Sequence, residues 1–259
     1  MKIVINVIVG VVVALLTAIV LLVWVNGQLQ PLNRDYALKE LASTKAAVEK
    51  NIDDIAANLL LQLQGFCASV ADDRDFAMKL IVEKDYSAPE VADIALSYMK
   101  AMGLSFLEVT DADFRILSSG HFPASAGNKS LQKSSLPDSS ANFMFDNIKG
   151  ADVLSLQIKI PFSCAGALFY CVGGIAVDEH FITGLIPHEG TRLIFKHGKD
   201  IVGMEDIETM SELKDNSIII NDRSWLAESL VIPWAGEADA PEIIILKEEP
   251  ADFNLLDVI

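Results

Sequence analysis

The stretch that decides the fold is Leu104–Ser119, LSFLEVTDADFRILSS, in which apolar residues largely alternate with polar ones on either side of a short polar turn. Alternation with period two is typical of a half-buried strand, so Leu104–Thr110 and Phe114–Ser119 are predicted β-strands. Asp111–Asp113 separates them, and aspartate favours turns because its side chain bonds to the nearby backbone. The stretch therefore predicts an antiparallel β-hairpin.

A second pair of strands is predicted downstream of the hairpin. Gly120–Asp138 is rich in Gly, Ser, Pro, Asn and Lys, which is typical of a long surface loop, and Ser139–Lys149 is predicted as a short helix. Asp152–Pro161 and Ala167–Val177 are predicted to be long paired strands. Inside the second of these, Gly173-Gly174 indicates a bulge or a close backbone approach.

The C-terminal part is predicted as a smaller mixed α/β segment. Asp178–Leu185 is predicted as a short helix with its first residue at the N-cap, and Met204–Leu213 as another. The predicted strands are Arg192–Lys196, Ser217–Ile220, Ser229–Pro233 and Glu242–Lys247. No internal repeat is evident in the sequence.

Helices are predicted before the hairpin. In Asp35–Val70, which follows Pro31, apolar residues recur at spacings of three and four, and this predicts a helix of roughly 50 Å. Two interpretations stay open: the helix packs along its own domain, or it forms a stalk that also pairs with a second subunit. A shorter helix is predicted to begin with Ser87 as its cap and Pro89 in its first turn, and to end at Gly103.

The N-terminal run Ile3–Val25 is uncharged and contains no proline. As a helix it is roughly 35 Å long, enough to cross a hydrocarbon core of about 30 Å. It exceeds the apolar core of a signal peptide and no A-x-A cleavage site comes after it, which favours an uncleaved anchor over a cleaved signal. Lys2 places Met1 in the cytoplasm by the positive-inside rule, and residues 26–259 outside the inner (cell) membrane. The reversed orientation stays an alternative, because a single lysine carries this signal.

The formal net charge of the 259-residue chain is −16. A surface this acidic excludes nucleic acid as a partner, because the phosphate backbone is bound by clustered Lys and Arg. The three cysteines are Cys67, Cys164 and Cys171. A local disulfide between the last two and buried free thiols are both open, and the thiols are the favoured interpretation.

No catalytic constellation stands out. The sequence has no G-x-S-x-G, no Walker loop and no H-E-x-x-H, and the spacing of its four histidines does not suit a helical metal site. We therefore predict no catalytic residue, no metal site and no cofactor. Helices on one face of an antiparallel sheet leave the other face for a pocket that the long loop closes. The predicted lining is Tyr98, Arg115, His121 and Phe143.

Three runs carry a resemblance to a known family. Phe106–Gly127, FLEVTDADFRILSSGHFPASAG, resembles the first hairpin and pocket loop of PAS-like Cache sensor domains, which lie outside the membrane in bacterial two-component histidine kinases and chemoreceptors. Leu168–Leu185, LFYCVGGIAVDEHFITGL, resembles the closing strand, which in that family ends in an aspartate, here Asp178. Ile186–Gly198 is similar to the segment after the closing strand in sensor kinases of the nitrogen-regulation type. The resemblance covers residues 35–198 and implies a sensor domain on a dimeric receptor, with this aspartate among its ligand-binding residues.

The sequence departs from this family in two respects. The tyrosine, arginine and tryptophan-tyrosine cluster of the amino-acid-binding members is absent, so an amino-acid ligand is not implied. No second long apolar run, phosphorylatable histidine or ATP-binding motif is present, so the chain is expected to be the sensory part of a longer protein.

The predicted fold class is α+β, divided into a cytoplasmic tip and transmembrane helix (1–26), a Cache-like sensor domain (35–198) and a small α/β subdomain (199–259) that leads to a second membrane helix. The leading hypothesis is the extracytoplasmic ligand-sensing portion of a membrane-bound histidine kinase, a homodimer that transmits the ligand state through the long helix. The alternatives are the sensory part of a chemoreceptor and a single-span envelope interaction protein. The expected partner is an unknown small-molecule ligand or an envelope protein.

Overall fold

The computed structural model of the chain describes residues 2–86, 88–148, 151–186, 190–198, 200–204, 207–235 and 240–249. They form an α+β fold in which one long helix packs across two antiparallel sheets of five strands each. The predicted fold class is confirmed at this level.

The long helix, α1, spans Lys2–Ala71 and is continuous over 70 residues, about 105 Å at 1.5 Å per residue. The sequence placed Pro31 ahead of a separate helix, and this is wrong, because α1 runs through it. An interior proline removes one backbone hydrogen bond at a cost of about 3 kcal/mol, which the helical segments on both sides outweigh.

The expected membrane span, Ile3–Val25, lies within α1. Up to Leu15 its side chains lie outside the described residues. Among the residues that the structure does describe, no helix combines the length and the apolar character needed to cross a membrane.

The first sheet contains the predicted hairpin. Its strands, in chain order, are β1 (Phe106–Asp111), β2 (Ile116–Ser119), β3 (Ala141–Ile148), β4 (Ala151–Cys164) and β5 (Ala167–Ala176), and they lie side by side in the order β2-β1-β5-β4-β3. The hairpin and the two long strands are confirmed.

The predicted helix over Ser139–Lys149 is wrong, because the structure has β3 there. Phe143 lies opposite Leu156 of β4, whereas Met144 lies opposite Ser155 and faces the other side of the sheet. Since both faces are covered, apolar residues occur at consecutive positions, and these hide the period of two.

The second sheet repeats the path of the first. Its strands are β6 (Thr191–His197), β7 (Asp200–Val202), β8 (Ser217–Ile220), β9 (Arg223–Val231) and β10 (Glu242–Glu248), in the order β7-β6-β10-β9-β8. In each sheet the last strand lies between the first and the fourth. The fold therefore contains a structural repeat that the sequence did not reveal, and the second sheet begins before residue 199.

No helix forms over the described part of the predicted helix Met204–Leu213, namely 204 and 207–213. The backbone N–H groups of Glu208 and Thr209 instead donate to Asn221 Oδ1, at 2.9 and 3.1 Å. Met210 forms an isolated bridge with Ile220 at the end of β8. A side-chain acceptor therefore takes the bonds that a helix needs.

The described residues also include four short α-helices. They are α2 (Arg74–Ala77), α3 (Pro89–Ala92) and α4 (Ile94–Met102), which precede β1, and α5 (Glu179–Leu185), which connects the two sheets; Met78–Glu83 forms a π-helical turn. Gly103 ends α4 at a φ of +67°, which favours glycine. The predicted cap Ser87 lies outside the described residues.

Helix α1 supplies one side of both cores. Leu63 and Phe66 pack against the first sheet, while Leu41 and Val48 pack with side chains of the second. All four are buried, and each such side chain contributes roughly 1.5–3 kcal/mol. Of the glycine pair in β5, Gly173 lies against the Leu63 side chain and Gly174 against the backbone carbonyl of Leu156, so the prediction of a close backbone approach is confirmed at Gly174.

The two sheets are also joined by backbone hydrogen bonds. Phe143 of β3 donates its N–H to Pro233 O at 2.8 Å, and Ala235 N–H donates to Phe143 O at 3.2 Å. The segment after β9 therefore pairs with the edge strand of the first sheet.

All three cysteines are free and buried. Cys164 lies opposite Ala167 across the hairpin, whereas Cys171 lies opposite Ile160. The favoured interpretation of buried thiols holds. Burial and a contact with Cys67 of α1 raise the pKa of the Cys171 thiol.

Candidate functional site

The outer face of the first sheet, which is the side turned away from α1, carries polar side chains that are buried. In β1, Leu107 and Val109 face the α1 core, so Glu108 and Thr110 face outward. The loop 120–138 covers this face and leaves Glu108 only 4% exposed. A set of five side chains meets beneath the loop, and we refer to it as the polar cluster: Glu108, His121, Lys133, Asp146 and Gln157.

Lys133 lies at the centre of the polar cluster. It is 2% exposed, forms an ion pair with Asp146, and donates to Gln157 Oε1 at 2.9 Å. Gln157 Nε2 donates in turn to Ser155 Oγ at 2.8 Å. The Lys133 ammonium also lies 4.8 Å from the centroid of the Phe106 ring. Its charge is therefore compensated by a carboxylate, an amide oxygen and an aromatic face.

Glu108 and His121 form the second part of the polar cluster. The His121 Nε2 atom lies 3.6 Å from Glu108 Oε1, and its Nδ1 atom lies 3.3 Å from Ser119 Oγ. Burial raises the pKa of the Glu108 carboxyl to about 7, with Lys133 opposing and Asp146 reinforcing the rise. Burial also lowers the pKa of the His121 imidazole. Near pH 7 the imidazole is therefore largely neutral and the carboxyl is only partly ionised, so the contact is not a full ion pair.

Two oxygen atoms on this face have no hydrogen-bond partner among the described residues. They are Glu108 Oε2 and Thr110 Oγ1, and the Thr110 side chain is fully buried. An unpartnered buried polar atom costs roughly 1–3 kcal/mol, so such atoms are rare in folded proteins. They are free to accept hydrogen bonds from a bound molecule.

A second lysine borders the polar cluster. Lys159 of β4 forms an ion pair with Asp138 at 3.1 Å, and its ammonium lies 5.3 Å from the ring centroids of Phe114 and Tyr170. These two rings stack at 4.8 Å. Lys159, like Lys133, therefore has a carboxylate partner and aromatic contacts.

Of the five residues predicted to bind a ligand, only His121 belongs to the polar cluster. Arg115 is exposed at the turn of the hairpin, where its backbone N–H donates to Asp111 Oδ1 at 2.9 Å. Tyr98 lies on the α1 side of the sheet, where its hydroxyl is 2.8 Å from Ser69 Oγ.

The remaining two predicted residues lie near the junction of the sheets. Phe143 is fully buried between them, with its ring centroid 6.1 Å from that of Phe195. Asp178 is the N-cap of α5 and accepts a hydrogen bond from Phe181 N–H at 2.9 Å.

Sequence reasoning did not identify Glu108, Lys133, Asp146 or Gln157. A polar residue at every second position of a strand is also typical of a solvent-facing side, so alternation alone does not indicate a site. The signal that was available is the length of the loop 120–138, because long ordered loops commonly cover functional sites.

A cavity of about 440 Å³ lies on the second sheet, away from the polar cluster. It lies between α5 and the β6–β7 edge, with Ile182, Leu193 and Val202 among its apolar lining and Glu179 and Arg192 among its charged lining. None of its lining side chains is an unpartnered buried polar group among the described residues. The polar cluster is therefore the stronger candidate site.

Comparisons with known proteins give fold relatives. The sequence matches no protein-family model and no curated protein. The sensor domain of the Vibrio cholerae histidine kinase DctB superposes with a TM-score of 0.54 at 10% identity, over 83% of this chain and 99% of that domain. The periplasmic domain of V. cholerae LuxQ gives a TM-score of 0.52 at 11% identity, over 80% of this chain and 99% of that domain.

A chemoreceptor gives a similar result. The sensory domain of Campylobacter jejuni Tlp3, solved with isoleucine bound, superposes with a TM-score of 0.51 at 10% identity, over 85% of this chain and 95% of that one. At such identities the likeness shows the fold alone. The chain thus has the PAS-like fold of periplasmic sensor domains of histidine kinases and chemoreceptors, as the resemblance implied.

Proposed function

We propose that the chain is the extracytoplasmic ligand-sensing portion of a membrane-bound signalling receptor, and that it binds a small molecule at the polar cluster. The observation that carries this proposal is the pair of unpartnered buried oxygens, Glu108 Oε2 and Thr110 Oγ1, beneath a long covering loop. The fold supports it, because several domains with this fold sense signals, and Tlp3 was solved with isoleucine bound.

The attachment to the membrane rests on the sequence of Ile3–Val25. With this run in the bilayer and residues 26–259 outside, α1 extends from it without interruption. Residue 41 then lies about 24 Å and residue 63 about 57 Å beyond Val25 along the helix. The second sheet, which packs on the nearer part, is proximal to the membrane, and the sheet with the polar cluster is distal.

A signal is proposed to pass through α1. A ligand changes an equilibrium only if it binds one arrangement more tightly than the other. Closure of the loop 120–138 over a ligand affects the first sheet, on which α1 packs through Leu63 and Phe66. A small shift of α1 then reaches the membrane segment directly, because both are one helix.

For the output module we propose a histidine kinase. The likeness of Ile186–Gly198 to the nitrogen-regulation type stays a prediction. A chemoreceptor is favoured instead if the gene encodes a methyl-accepting signalling helix downstream, since Tlp3 shares the fold. Reading the downstream gene sequence decides between them, and an early stop codon favours the envelope interaction protein.

Dimerisation is proposed along the first part of α1. Leu29, Leu32 and Tyr36 are exposed and lie at spacings of three and four, which forms an apolar stripe on one side of the helix. We expect Tyr36→Cys to cross-link between subunits under mild oxidation. The exposed Ala42→Cys, which lies about 120° round the helix from Tyr36 and so off the stripe, is the matched control.

The ligand-binding proposal is tested with Thr110→Val. This change removes the unpartnered hydroxyl without changing the shape of the side chain, so we expect equal or greater thermal stability and at least about fivefold weaker binding of whichever metabolite stabilises the wild type. Thr44→Val is the control, because Thr44 is also buried but already donates to Glu40 O at 2.9 Å, away from the cluster. Unchanged affinity in Thr110→Val contradicts a site at this position.

The orientation is tested by fusing alkaline phosphatase, which is active only outside the cytoplasm, after Ile259. High activity supports the proposed topology. Low activity, together with fluorescence of the corresponding GFP fusion, overturns it.

A further inference from the structure

Resting on the proposed sensing function, we infer that the polar cluster recognises the protonated amine of a small aliphatic ligand that carries no neighbouring carboxylate. Three features of the outer face support this inference: its charge balance, its unpartnered acceptors and the apolar side chains beside them.

The charges on this face leave one carboxyl group without a counter-ion. Lys133 is paired with Asp146, and Lys159 is paired with Asp138. Among the described residues on this face, Glu108 is the carboxyl with no lysine of its own, because Lys133 is shared with Asp146 and burial keeps the nearby His121 imidazole neutral near pH 7. Because a buried carboxylate without compensation is costly, Glu108 keeps its proton below about pH 7 when nothing is bound, and a cation is the group that replaces this proton.

The unpartnered atoms suit an ammonium group. Glu108 and Thr110 are two residues apart on β1 and point to the same side of the sheet. Glu108 Oε2 and Thr110 Oγ1 are both buried acceptors without a donor among the described residues. An ammonium supplies N–H donors to both, and a charge-assisted bond to the carboxylate is about twice as strong as a neutral one.

The side chains next to these atoms are apolar. Phe106, Leu136, Met144 and Val172 form a separate buried cluster on the same face. They favour an aliphatic body on the ligand. Its carbon chain would lie against them while its amine reaches Glu108.

A carboxylate on the ligand is disfavoured. Both lysines on this face already have carboxylate partners, so an incoming carboxylate meets no uncommitted lysine among the described residues here. It would also approach Glu108 and Asp146, which repel it. The site therefore discriminates against amino acids and in favour of the corresponding amines.

Binding releases a proton. The O–H bond of the neutral Glu108 carboxyl breaks, the proton passes to solvent, and the carboxylate keeps the electron pair that accepts the ammonium N–H. Burial raises the pKa of this carboxyl to about 7, with Lys133 of the loop opposing and Asp146 of β3 reinforcing the rise, while neutral His121 faces it from the loop. Since aliphatic amines stay protonated to about pH 10, affinity depends on the ionisation of Glu108 and is about tenfold weaker at pH 6 than at pH 8.

The test uses the full chain in detergent and a panel of primary monoamines and diamines, each with its matching alcohol and α-amino acid. Isobutylamine, isobutanol and valine form one such set, because they differ only in the ammonium or the added carboxylate. Thermal shift identifies the binding amine, and calorimetry in two buffers of different ionisation enthalpy measures its affinity and the proton released. The variants are Glu108→Gln and, as the control, Glu212→Gln, which neutralises an exposed carboxylate outside the cluster.

We expect an amine to bind at least about tenfold more tightly than its alcohol and its amino acid, with release of a proton, and to lose at least about tenfold in affinity in Glu108→Gln only. The inference is overturned if no amine binds, if the alcohol or the amino acid binds as tightly, or if Glu108→Gln binds like the wild type. A neutral or acidic metabolite that binds the wild type and is weakened by Thr110→Val would refute the amine while preserving the sensing function.

Discussion

Replacing Glu108 by glutamine tests the electrostatics of the site without any ligand. Burial raises the pKa of this carboxyl from 4.5 to about 7. Each pKa unit corresponds to about 1.4 kcal/mol, so above pH 7 the ionised group lowers the free energy of unfolding by roughly 3 kcal/mol. Glutamine has nearly the same shape and never ionises.

The direction of the pH effect is set by proton binding. Between pH 4.5 and about 7 the folded chain keeps the proton on Glu108, whereas the unfolded chain has lost it. Because the folded state binds more protons, the wild type loses stability as the pH rises through this window. Glu108→Gln has no such loss, so the difference in free energy of unfolding between this variant and the wild type grows by roughly 3 kcal/mol from pH 4.5 to pH 8.

Urea unfolding at several pH values between these limits measures the effect, since other groups titrate equally in both proteins and cancel in the difference. Glu212→Gln, at an exposed position, is the control and is expected to give a small difference that varies little with pH. If the difference between Glu108→Gln and the wild type is the same at pH 5 and pH 8, Glu108 ionises normally and the reasoning about a neutral buried carboxyl is refuted.

Three further changes test the surroundings of the site. Lys133→Met leaves Asp146 buried without its partner and should lower the free energy of unfolding in urea by roughly 3 kcal/mol. A double variant that also replaces Asp146 by leucine should recover part of this loss. An unchanged urea midpoint in Lys133→Met would contradict the buried pair. Gly174→Ala places its Cβ into a phenylalanine ring and a backbone carbonyl and should lower the melting temperature by the equivalent of about 2 kcal/mol or more. Gly65→Ala, in open space on α1, should raise the melting temperature slightly. Similar effects of the two substitutions would contradict the close approach at Gly174. Asp178→Ala should cost about 1 kcal/mol and Asp178→Asn little, without an effect on ligand affinity, if capping is its role; weaker binding in both would restore it as a ligand-binding residue.

The local elements could largely be predicted from the sequence. Leu104–Ser119 carries its period and its turn within sixteen residues, and the structure has the hairpin there. Asp178 caps its helix through a bond to Phe181, three residues away. Such features depend on neighbours along the chain, so the order of residues is sufficient to reveal them.

Some features of the fold were not predicted because partners distant in the chain determine them. Phe143 and its neighbours form β3 only because β4 pairs with them on one side and the segment near Pro233 on the other. The second sheet repeats the first because β10 lies between β6 and β9. No short pattern reports which strand inserts between two others, since the pairing joins residues far apart in sequence.

The candidate site shows the same division. The sequence determined that Glu108 lies on the face of β1 opposite to Leu107, that a long loop comes after β2, and that the chain is strongly acidic. Only the tertiary structure decided that the loop lies on that face, brings Lys133 to Asp146 and leaves Glu108 buried without a cation. The physical reason is that the free energy of ionising a side chain depends on its solvation, and therefore on what covers it. The alternation of residues along a strand is the same whether water or a loop covers its polar face.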